Sequence, residues 1–409
     1  MRWEKQSNFD KMRNSLENFY NQGMKGHFMK RVKKMALYLF IFLFILCIGV
    51  ILFINLAPAF GGNLTEEQKG TYKNLNNYVN GKFTNEIPTR LGISSADSSS
   101  TSEVSNLDAK EREPAGPIPV SLIDWNQIKS EKDSLTWLGH SASILSIDNK
   151  KLLIDPMLGP IASPVSFVGI KRYKYSEDIL LHIIDEMPPI DAVLISHDHY
   201  DHLDYQSIVK LKSKVSHFFV PLGVSAHLIR WGVPKEKITE LNWWEEREYQ
   251  GLTLALTPSR HFSGRGVFNS NTTLWGGWVI LGKNTRLYSS GDGGYGGYGP
   301  HFKEIGSKYG PFDITLIDGG QYDRRWQDIH TTPEQAVQAN LEVNGKNMML
   351  MHWGAFTLAN HGWKEPIERA LKEAKKAEVN LIAPKIGETV LLGSELHIPL
   401  SLWWACLKV

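Results

Sequence analysis

Between Ser196 and Asp204 the chain reads Ser-His-Asp-His-Tyr-Asp-His-Leu-Asp, which sets three histidines and an aspartate at a His-x-His-x-Asp-His spacing. Neutral imidazole and carboxylate are the ligands that zinc, manganese and iron accept. The cluster directly follows Asp191-Ala192-Val193-Leu194-Ile195, an apolar run of β character that reads as a buried strand stopping where the polar residues begin. Alternate residues on an extended loop point the same way, so His197 and His199 can grip one cation while Asp201 and His202 turn toward a second. A solvated histidine-rich loop is the competing reading. Four ligand-type residues in six, placed after a buried strand, favour a metal.

Further ligand types recur just past other β-type runs. Leu252-Thr253-Leu254-Ala255-Leu256 precedes Pro258-Ser259-Arg260-His261, Arg286-Leu287-Tyr288-Ser289-Ser290 precedes Gly291-Asp292, and Met348-Met349-Leu350-Met351 precedes His352-Trp353-Gly354. Strand ends are where the active sites of layered α/β folds collect. Any one of these residues alone is more often structural than functional. Together they complete two sites: His197, His199 and His261 for one metal, Asp201, His202 and His352 for the other, and Asp292 as a carboxylate able to bridge them.

The elements that must position this set follow from the rest of the chain. With 409 residues and 42% hydrophobic content, the length fits one large α/β domain plus appendages. A formal net charge of +2 gives no reason to expect a nucleic-acid partner. Cys47 and Cys406 are the only cysteines, so neither a disulfide framework nor cysteine ligation carries the chemistry.

Residues 1–35 form a basic leader, with Lys25, Lys30, Arg31, Lys33 and Lys34 ahead of Ala36–Ile54, a run of 19 residues without a charge. As a helix that run spans about 28 Å, close to the hydrocarbon thickness of a bilayer. It reads as a single membrane span over 36–56, with the leader cytoplasmic and the remainder outside by the positive-inside rule. Ala57-Pro58-Ala59 loosely resembles a signal-peptide cleavage site, the rival reading, but the leader is long and the apolar run exceeds a usual signal core. Residues 57–134 read as an irregular arm carrying a flexible serine-rich insertion from Gly92 to Ala109. Short β runs, among them Thr136-Trp137-Leu138 and Lys151-Leu152-Leu153-Ile154, then alternate with helical patterns at Ser207–Leu211, Ser225–Trp231, Thr332–Leu341 and Ala370–Lys376. This places the catalytic α/β domain at 135–392, followed by an apolar tail at 393–409.

The motif, the later His, Asp and His, and their order resemble the metallo-β-lactamase fold superfamily. More narrowly, Thr136-Trp137-Leu138-Gly139-His140-Ser141, the Ser-His-x-His-Tyr-Asp-His-Leu-Asp run, His261-Phe262-Ser263-Gly264-Arg265, Gly291-Asp292 and His352-Trp353-Gly354 resemble the N-acylphosphatidylethanolamine-hydrolysing phospholipase D group. Pro58-x-Phe60-Gly61-Gly62 and Gly81-Lys82-Phe83-x-Asn85 are similar to that group's N-terminal arm, so the resemblance covers roughly residues 58–392. It implies a four-layer αβ/βα sandwich with a dinuclear site at one edge, most simply two Zn2+, with Mn2+ or Fe2+ as alternatives. Three departures bear on substrate fit rather than ligands. Gly293 stands where the group usually has threonine, Arg260 where glutamine is common, and Asp318-Gly319-Gly320-Gln321-Tyr322-Asp323 replaces a more apolar Gly-Ala-Tyr pattern.

Paired cations at such a site acidify water, orient a phosphoryl or carbonyl centre and offset charge on the leaving oxygen. Asp201 can orient the attacking oxygen besides serving as a ligand. His330, which matches a histidine of the phospholipase group and precedes the capped helix at Thr332, is the candidate for contacting phosphate or protonating the leaving alkoxide. Tyr322 is a candidate substrate contact, a packed tyrosine being its plainer reading. Asp155 and His140 read as hydrogen-bonders behind the ligands. The run Gly293-Gly294-Tyr295-Gly296-Gly297-Tyr298-Gly299 lacks the Gly-Lys-Ser/Thr of a P-loop and reads as a close backbone approach to the metal edge. Trp243, Trp244, Trp403 and Trp404 could rest at a lipid interface or in the core.

The expected activity is a membrane-anchored phosphodiesterase of phospholipase D type on N-acylphosphatidylethanolamine-like lipids. The alternative is a lactonase or other hydrolase of a small phosphorylated metabolite on the same fold, and fold alone does not choose. A non-catalytic binding platform would have lost ligands, and none is lost. Partners are a phospholipid or small phosphorylated substrate and the membrane, with a homodimer left open.

Overall fold

A computed structural model describes residues 2–92, 111–130, 132–177, 179–266, 268–295, 300–393 and 402–407. The serine-rich insertion lies outside the described residues save Gly92, as do 296–299 of the glycine run and most of the 393–409 tail. By contact the chain divides into Met1–Ala57 and Pro58–Val409.

The first unit is one unbroken helix, Arg2–Leu56. The basic leader is therefore helical too, and nothing in it could break a helix: it has no proline, and Gly23 and Gly26 each cost only about 1 kcal/mol. Phe40, Phe42, Phe44 and Ile45 are exposed along the uncharged run, which is apolar on every face. The helix stops just before Pro58, whose ring disfavours helical backbone in the residue ahead of it.

The arm that follows is more regular than expected. Thr65 caps the helix Glu66–Tyr72 in a capping box with Gln68, a Thr-x-x-Gln signal the sequence reading passed over. Tyr78–Val79 and Lys82–Phe83 pair antiparallel across Asn80 and Gly81, both with positive φ (52° and 80°), the Asn-Gly turn that matches strand twist. Tyr72, Tyr78 and Phe83 pack ring on ring behind it, with centroids 4.8–5.6 Å apart.

Two mixed seven-stranded sheets form the body. The first runs, in spatial order, Ile238–Leu241, Val215–Pro221, Ile190–Leu194, Lys150–Ile154, Ser143–Ile147, Ser134–Trp137 and Thr389–Leu391. The second runs Glu246–Tyr249, Leu252–Thr257, Gly277–Leu281, Arg286–Ser289, Ile314–Asp318, Asn347–Met351 and Asn380–Ile382. Each is parallel over one half and antiparallel over the other. The strand Thr389–Leu391 returns from the second half of the chain to close the first sheet against Ser134–Trp137.

The sheets face each other. Trp278 Nε1 donates to Ile195 O and Tyr249 OH to Asp191 O, both at 2.9 Å, and a continuous apolar core fills the space between. Helices Pro333–Glu342 and Glu365–Lys376 pack on the second sheet, while Trp125–Lys129 and Ser225–Arg230 pack on the first. The result is the αβ/βα sandwich expected. Thr332 and Gln335 form the capping box read from the sequence. The last helix starts at Glu365 rather than Ala370, because its first turn has no side-chain cap to announce it. Trp243, Trp403 and Trp404 are buried and Trp244 half-buried, so core packing takes them and not a lipid interface. Trp403 stacks on Trp353 at 5.3 Å and donates to Pro384 O.

Candidate metal centre

Strands from both sheets end at one edge and deliver their next residues there. Ile190–Leu194 leads into Ser196–Asp204, Leu252–Thr257 into His261, Arg286–Ser289 into Asp292, and Asn347–Met351 into His352. A bond across the sandwich, Gly276 N to Ser196 O, and one between neighbouring strands of the second sheet, Ser290 N to Leu316 O, hold the edge together.

Two sets of ligand atoms converge. In one, His197 Nε2 lies 2.8 Å from His199 Nδ1, and His261 Nε2 lies 3.3 Å from the same atom. In the other, His352 Nε2 lies 3.0 Å from Asp201 Oδ2 and 3.2 Å from His202 Nε2. Asp292 stands between them. Its Oδ2 is 3.1 and 3.2 Å from His202 and His352 Nε2, and 3.8 and 3.9 Å from His261 and His197 Nε2. His140, Asp201, His202 and His352 group together, as do His197, His199, His261 and Asp292, and a third group, Asp292, Asp318, His330 and His352, overlaps both.

The far nitrogens say what these atoms are for. His202 Nδ1 donates to Asp155 Oδ2 (2.8 Å) and His261 Nδ1 to Ile329 O (3.0 Å). With the proton spent there, each Nε2 presents a lone pair to the cluster. Lone pairs facing one another at about 3 Å repel unless a proton or a cation lies between, and His197, His199 and His261 on one side and Asp201, His202 and His352 on the other, with Asp292 between, form N/O donor sets of divalent metals. The residues present fit such ions.

Backbone strain accompanies this arrangement. His140, Asp155 and His352 have φ of 55°, 40° and 71°, a left-handed region costly for side chains with a Cβ. His140 N donates to Trp353 O and His352 N to His140 O, so the two histidines hold each other in place. Gly320 lies against the same segment: a Cβ there would sit 2.2 Å from His352 O.

Electrostatics divide the cluster. Burial and neighbouring histidines hold His197 well below the ordinary value; burial does the same to His261, and takes His140 down to about 3. Burial opposes charge on His352 as well, but the carboxylates of Asp292, Asp201 and Asp318 outweigh it and raise it to about 10. The same contest, with Asp292, Asp201 and Asp155, holds His202 well above its usual range. Burial works against charge on Asp201 and Asp292 too, yet the surrounding imidazoles keep both well below the usual carboxylate range.

His330 sits at the rim, its ring stacked on His352 (5.2 Å, 12°) and edge-on to His261 (5.1 Å). Asp155 and His140 occupy the supporting places expected: Asp155 also accepts from Ser196 N and Oγ, and His140 Nε2 donates to Asp201 Oδ2 at 2.8 Å. Tyr322 is not brought into either group. Its hydroxyl donates to Glu365 at 2.5 Å, its ring stacks on His361, and Arg369 lies over it. The described start of the glycine run does approach the site, Gly293 N donating to Asp318 Oδ2 at 3.3 Å.

Sequence reading missed the residues that brace the ligand loops. Asp198, buried inside the motif, accepts from His227 Nε2, Gly264 N and Thr273 Oγ1, and Gly62 N donates to His227 Nδ1. Arg265 donates to Ala59 O, Asp198 O and Leu203 O. Gly62, Asp198, Gly264 and Arg265 stand inside motifs visible in the sequence, whose spacing does not reveal the bracing, and His227 and Thr273 lie outside them.

A family model described as a β-lactamase superfamily domain matches residues 150–353. An uncharacterized protein of Mycobacterium tuberculosis is 41% identical over 295 residues, 71% of this chain and 77% of that protein. The N-acyl-phosphatidylethanolamine-hydrolyzing phospholipase D 1 of Caenorhabditis elegans is 33% identical over 290 residues, 68% of this chain and 79% of that protein. The mitochondrial N-acyl-phosphatidylethanolamine-hydrolyzing phospholipase D of Saccharomyces cerevisiae is 28% identical over 265 residues, 62% of this chain and 55% of that protein.

Proposed function

We propose, on the premise that this chain belongs to the β-lactamase superfamily and is a metal-dependent hydrolase with the metallo-β-lactamase fold, that it cleaves the phosphodiester of N-acylphosphatidylethanolamine-like lipids as a phospholipase D. The observation that carries this reading is the place of His330. Its side chain keeps 11% exposure and that of Asp201 13%, whereas His197, His202, His261, Asp292 and His352 keep 1–4%. A substrate thus reaches a carboxylate and an imidazole at the rim, Asp201 bonded to His352 and His330 stacked on it. The names of the worm and yeast relatives point the same chemistry at a lipid.

His197, His199 and His261 would hold one divalent cation, Asp201, His202 and His352 a second, and Asp292 would lie between. When bound, such ions, most simply Zn2+, supply an acidified water and positive charge opposite the phosphoryl oxygens. Asp201, ionised and partly exposed, accepts a hydrogen bond from the attacking water and so orients it. His330 meets the phosphoryl group on the open side and gives a proton to the departing headgroup alkoxide as its P–O bond breaks.

The uncharged run Ala36–Ile54 is read as a single-pass anchor, its basic flank cytoplasmic and Pro58–Val409 extracytoplasmic. Anchoring raises the local concentration of a lipid substrate.

The test is product analysis by mass spectrometry. Full-length protein in vesicles is given N-acylphosphatidylethanolamine, diacyl phosphatidylethanolamine or a sugar-phosphate lactone, with and without EDTA. The reading expects N-acylethanolamine and phosphatidic acid from the first, abolished by EDTA. Turnover of the lactone alone would replace it with the small-metabolite reading.

A further inference from the structure

We propose, resting on the phosphodiesterase reading and deepening it, that Asp318 is a positioning residue serving both halves of the site: one carboxylate oxygen holds His330 for substrate and the other orients His352 for metal. Asp318 is the last residue of the strand Ile314–Asp318, level with Met351 on its neighbour. Its Oδ2 lies 2.9 Å from His330 Nδ1 and its Oδ1 3.3 Å from His352 Nδ1. The first contact is a hydrogen bond in which the carboxylate accepts, so His330 carries a hydrogen on Nδ1; the second is a close approach that sets negative charge behind His352 Nδ1 without closing a hydrogen bond, both atoms being buried with no other partner among the described residues. His352 Nε2 faces Asp201 and Asp292, and His330 Nε2 is the nitrogen turned to substrate, giving up a proton to the leaving oxygen when the ring carries a second one. The stacked rings of His330 and His352 are thus pinned as a pair from behind.

The carboxylate itself has little freedom. Its side chain is 1% exposed, Asp318 N donates to Ser290 Oγ at 2.9 Å, Thr331 Oγ1 donates to Asp318 O, and Gly293 N reaches Oδ2. Three of the other ligand histidines find different partners: Asp155 for His202, Ile329 O for His261, Ser196 Oγ for His197. Asp318 alone among these partners also bonds a candidate substrate contact, His330. It opens the segment that departs from the resembled Gly-Ala-Tyr pattern, so the tie belongs to this chain rather than to the motif.

The experiment uses Asp318→Asn and Asp318→Ala in the full chain, with His330→Gln and the Asp318→Asn/His330→Gln double variant. The first readout is metal lost to EDTA over time, followed by elemental analysis. Support of His352 predicts loss roughly ten-fold or more faster in both Asp318 variants. The second is kcat on vesicles of N-acylphosphatidylethanolamine, whose leaving group is an alkoxide that needs a proton, with added Zn2+ to keep the site filled. Action through His330 predicts that Asp318→Asn costs about ten-fold in kcat in the wild-type background and under two-fold when His330 is already glutamine. Wild-type retention of metal, or a kcat loss equally large with and without His330, overturns the shared role. Asp318→Asn is nearly isosteric and serves should Asp318→Ala fail to fold. A wild type inert toward every phosphodiester would instead sink the phosphodiesterase reading, and the chelator readout would then decide for or against Asp318 by itself.

Discussion

Asn85 and His261 are joined by a two-way amide clasp across 176 residues: Asn85 Nδ2 donates to His261 O at 2.7 Å, and His261 N donates to Asn85 Oδ1 at 3.1 Å. The arm that follows Pro58 is therefore built into the ligand loop rather than draped over it. Asn85→Ala leaves both backbone groups of a buried candidate ligand without partners, at a cost of about 2 kcal/mol. Denaturant unfolding should show that loss, with weaker metal retention beside it. Asn85→Asp keeps the acceptor but sets a carboxylate against His261 O and should be no better than alanine. Wild-type stability in both variants would make the clasp incidental.

Arg265 carries the same link to the metal loop. Its buried guanidinium donates to Ala59 O through Nε and Nη2 (3.1 and 2.9 Å) and to Asp198 O and Leu203 O through Nη1 (2.7 and 2.6 Å), with Tyr200 and Trp231 against its faces. Lysine offers one point charge in place of a planar fork and cannot serve all three carbonyls. Arg265→Lys should destabilise by roughly 2–4 kcal/mol and speed limited proteolysis of the arm. Unchanged cleavage would show that the arm holds without it.

These braces mark where the sequence stopped being readable. The His-x-His-x-Asp-His run is local, and a buried strand before it is visible in the apolar run Ala192-Val193-Leu194-Ile195, so candidate ligands and a layered α/β domain could be anticipated from short patterns, and the sandwich from the family resemblance. Thr332 announced its helix for the same reason, capping being a four-residue signal. Thr65 and Gln68 carried that signal as well, but in a stretch without apolar periodicity it drew no notice. His227, Asn85 and Arg265 owe their roles to partners tens to hundreds of residues away, and no spacing encodes those. Tyr322 illustrates the converse: an aromatic beside the site motifs that Glu365, His361 and Arg369 engage elsewhere.

Asp155→Asn tests the tautomer argument. Asparagine keeps the shape but can turn a donor toward His202 Nδ1, which favours a proton on Nε2, the nitrogen aimed at the cluster. Metal affinity should fall about 10–100-fold while the fold survives. Competition with a chromophoric chelator measures it, and an unaltered affinity would contradict the assignment of Nε2 as ligand.

His301 supplies a pH dependence away from the ligands. Burial, helped by the charge of Arg260, lowers it from 6.5 to about 4; Glu86 lines the same small cavity. A histidine neutral when folded and protonated when unfolded favours unfolding as pH falls through that interval. Its contribution is intact above about pH 6.5 and declines by ~3 kcal/mol down to pH 4. Below that both states are protonated and the slope vanishes. His301→Asn should flatten the stability curve between pH 6.5 and 4 relative to wild type; parallel curves would contradict the shift.

The central claim is that side chains from distant strands converge to hold a pair of divalent cations. Elemental analysis of purified full-length protein, alongside His199→Ala and His352→Ala, addresses it directly. The account predicts about two equivalents of metal per chain in the wild type and about one in each variant, whose substitutions fall in different ligand groups. Variants that keep the full wild-type content, or a wild type that binds none when Zn2+ is supplied, would contradict it.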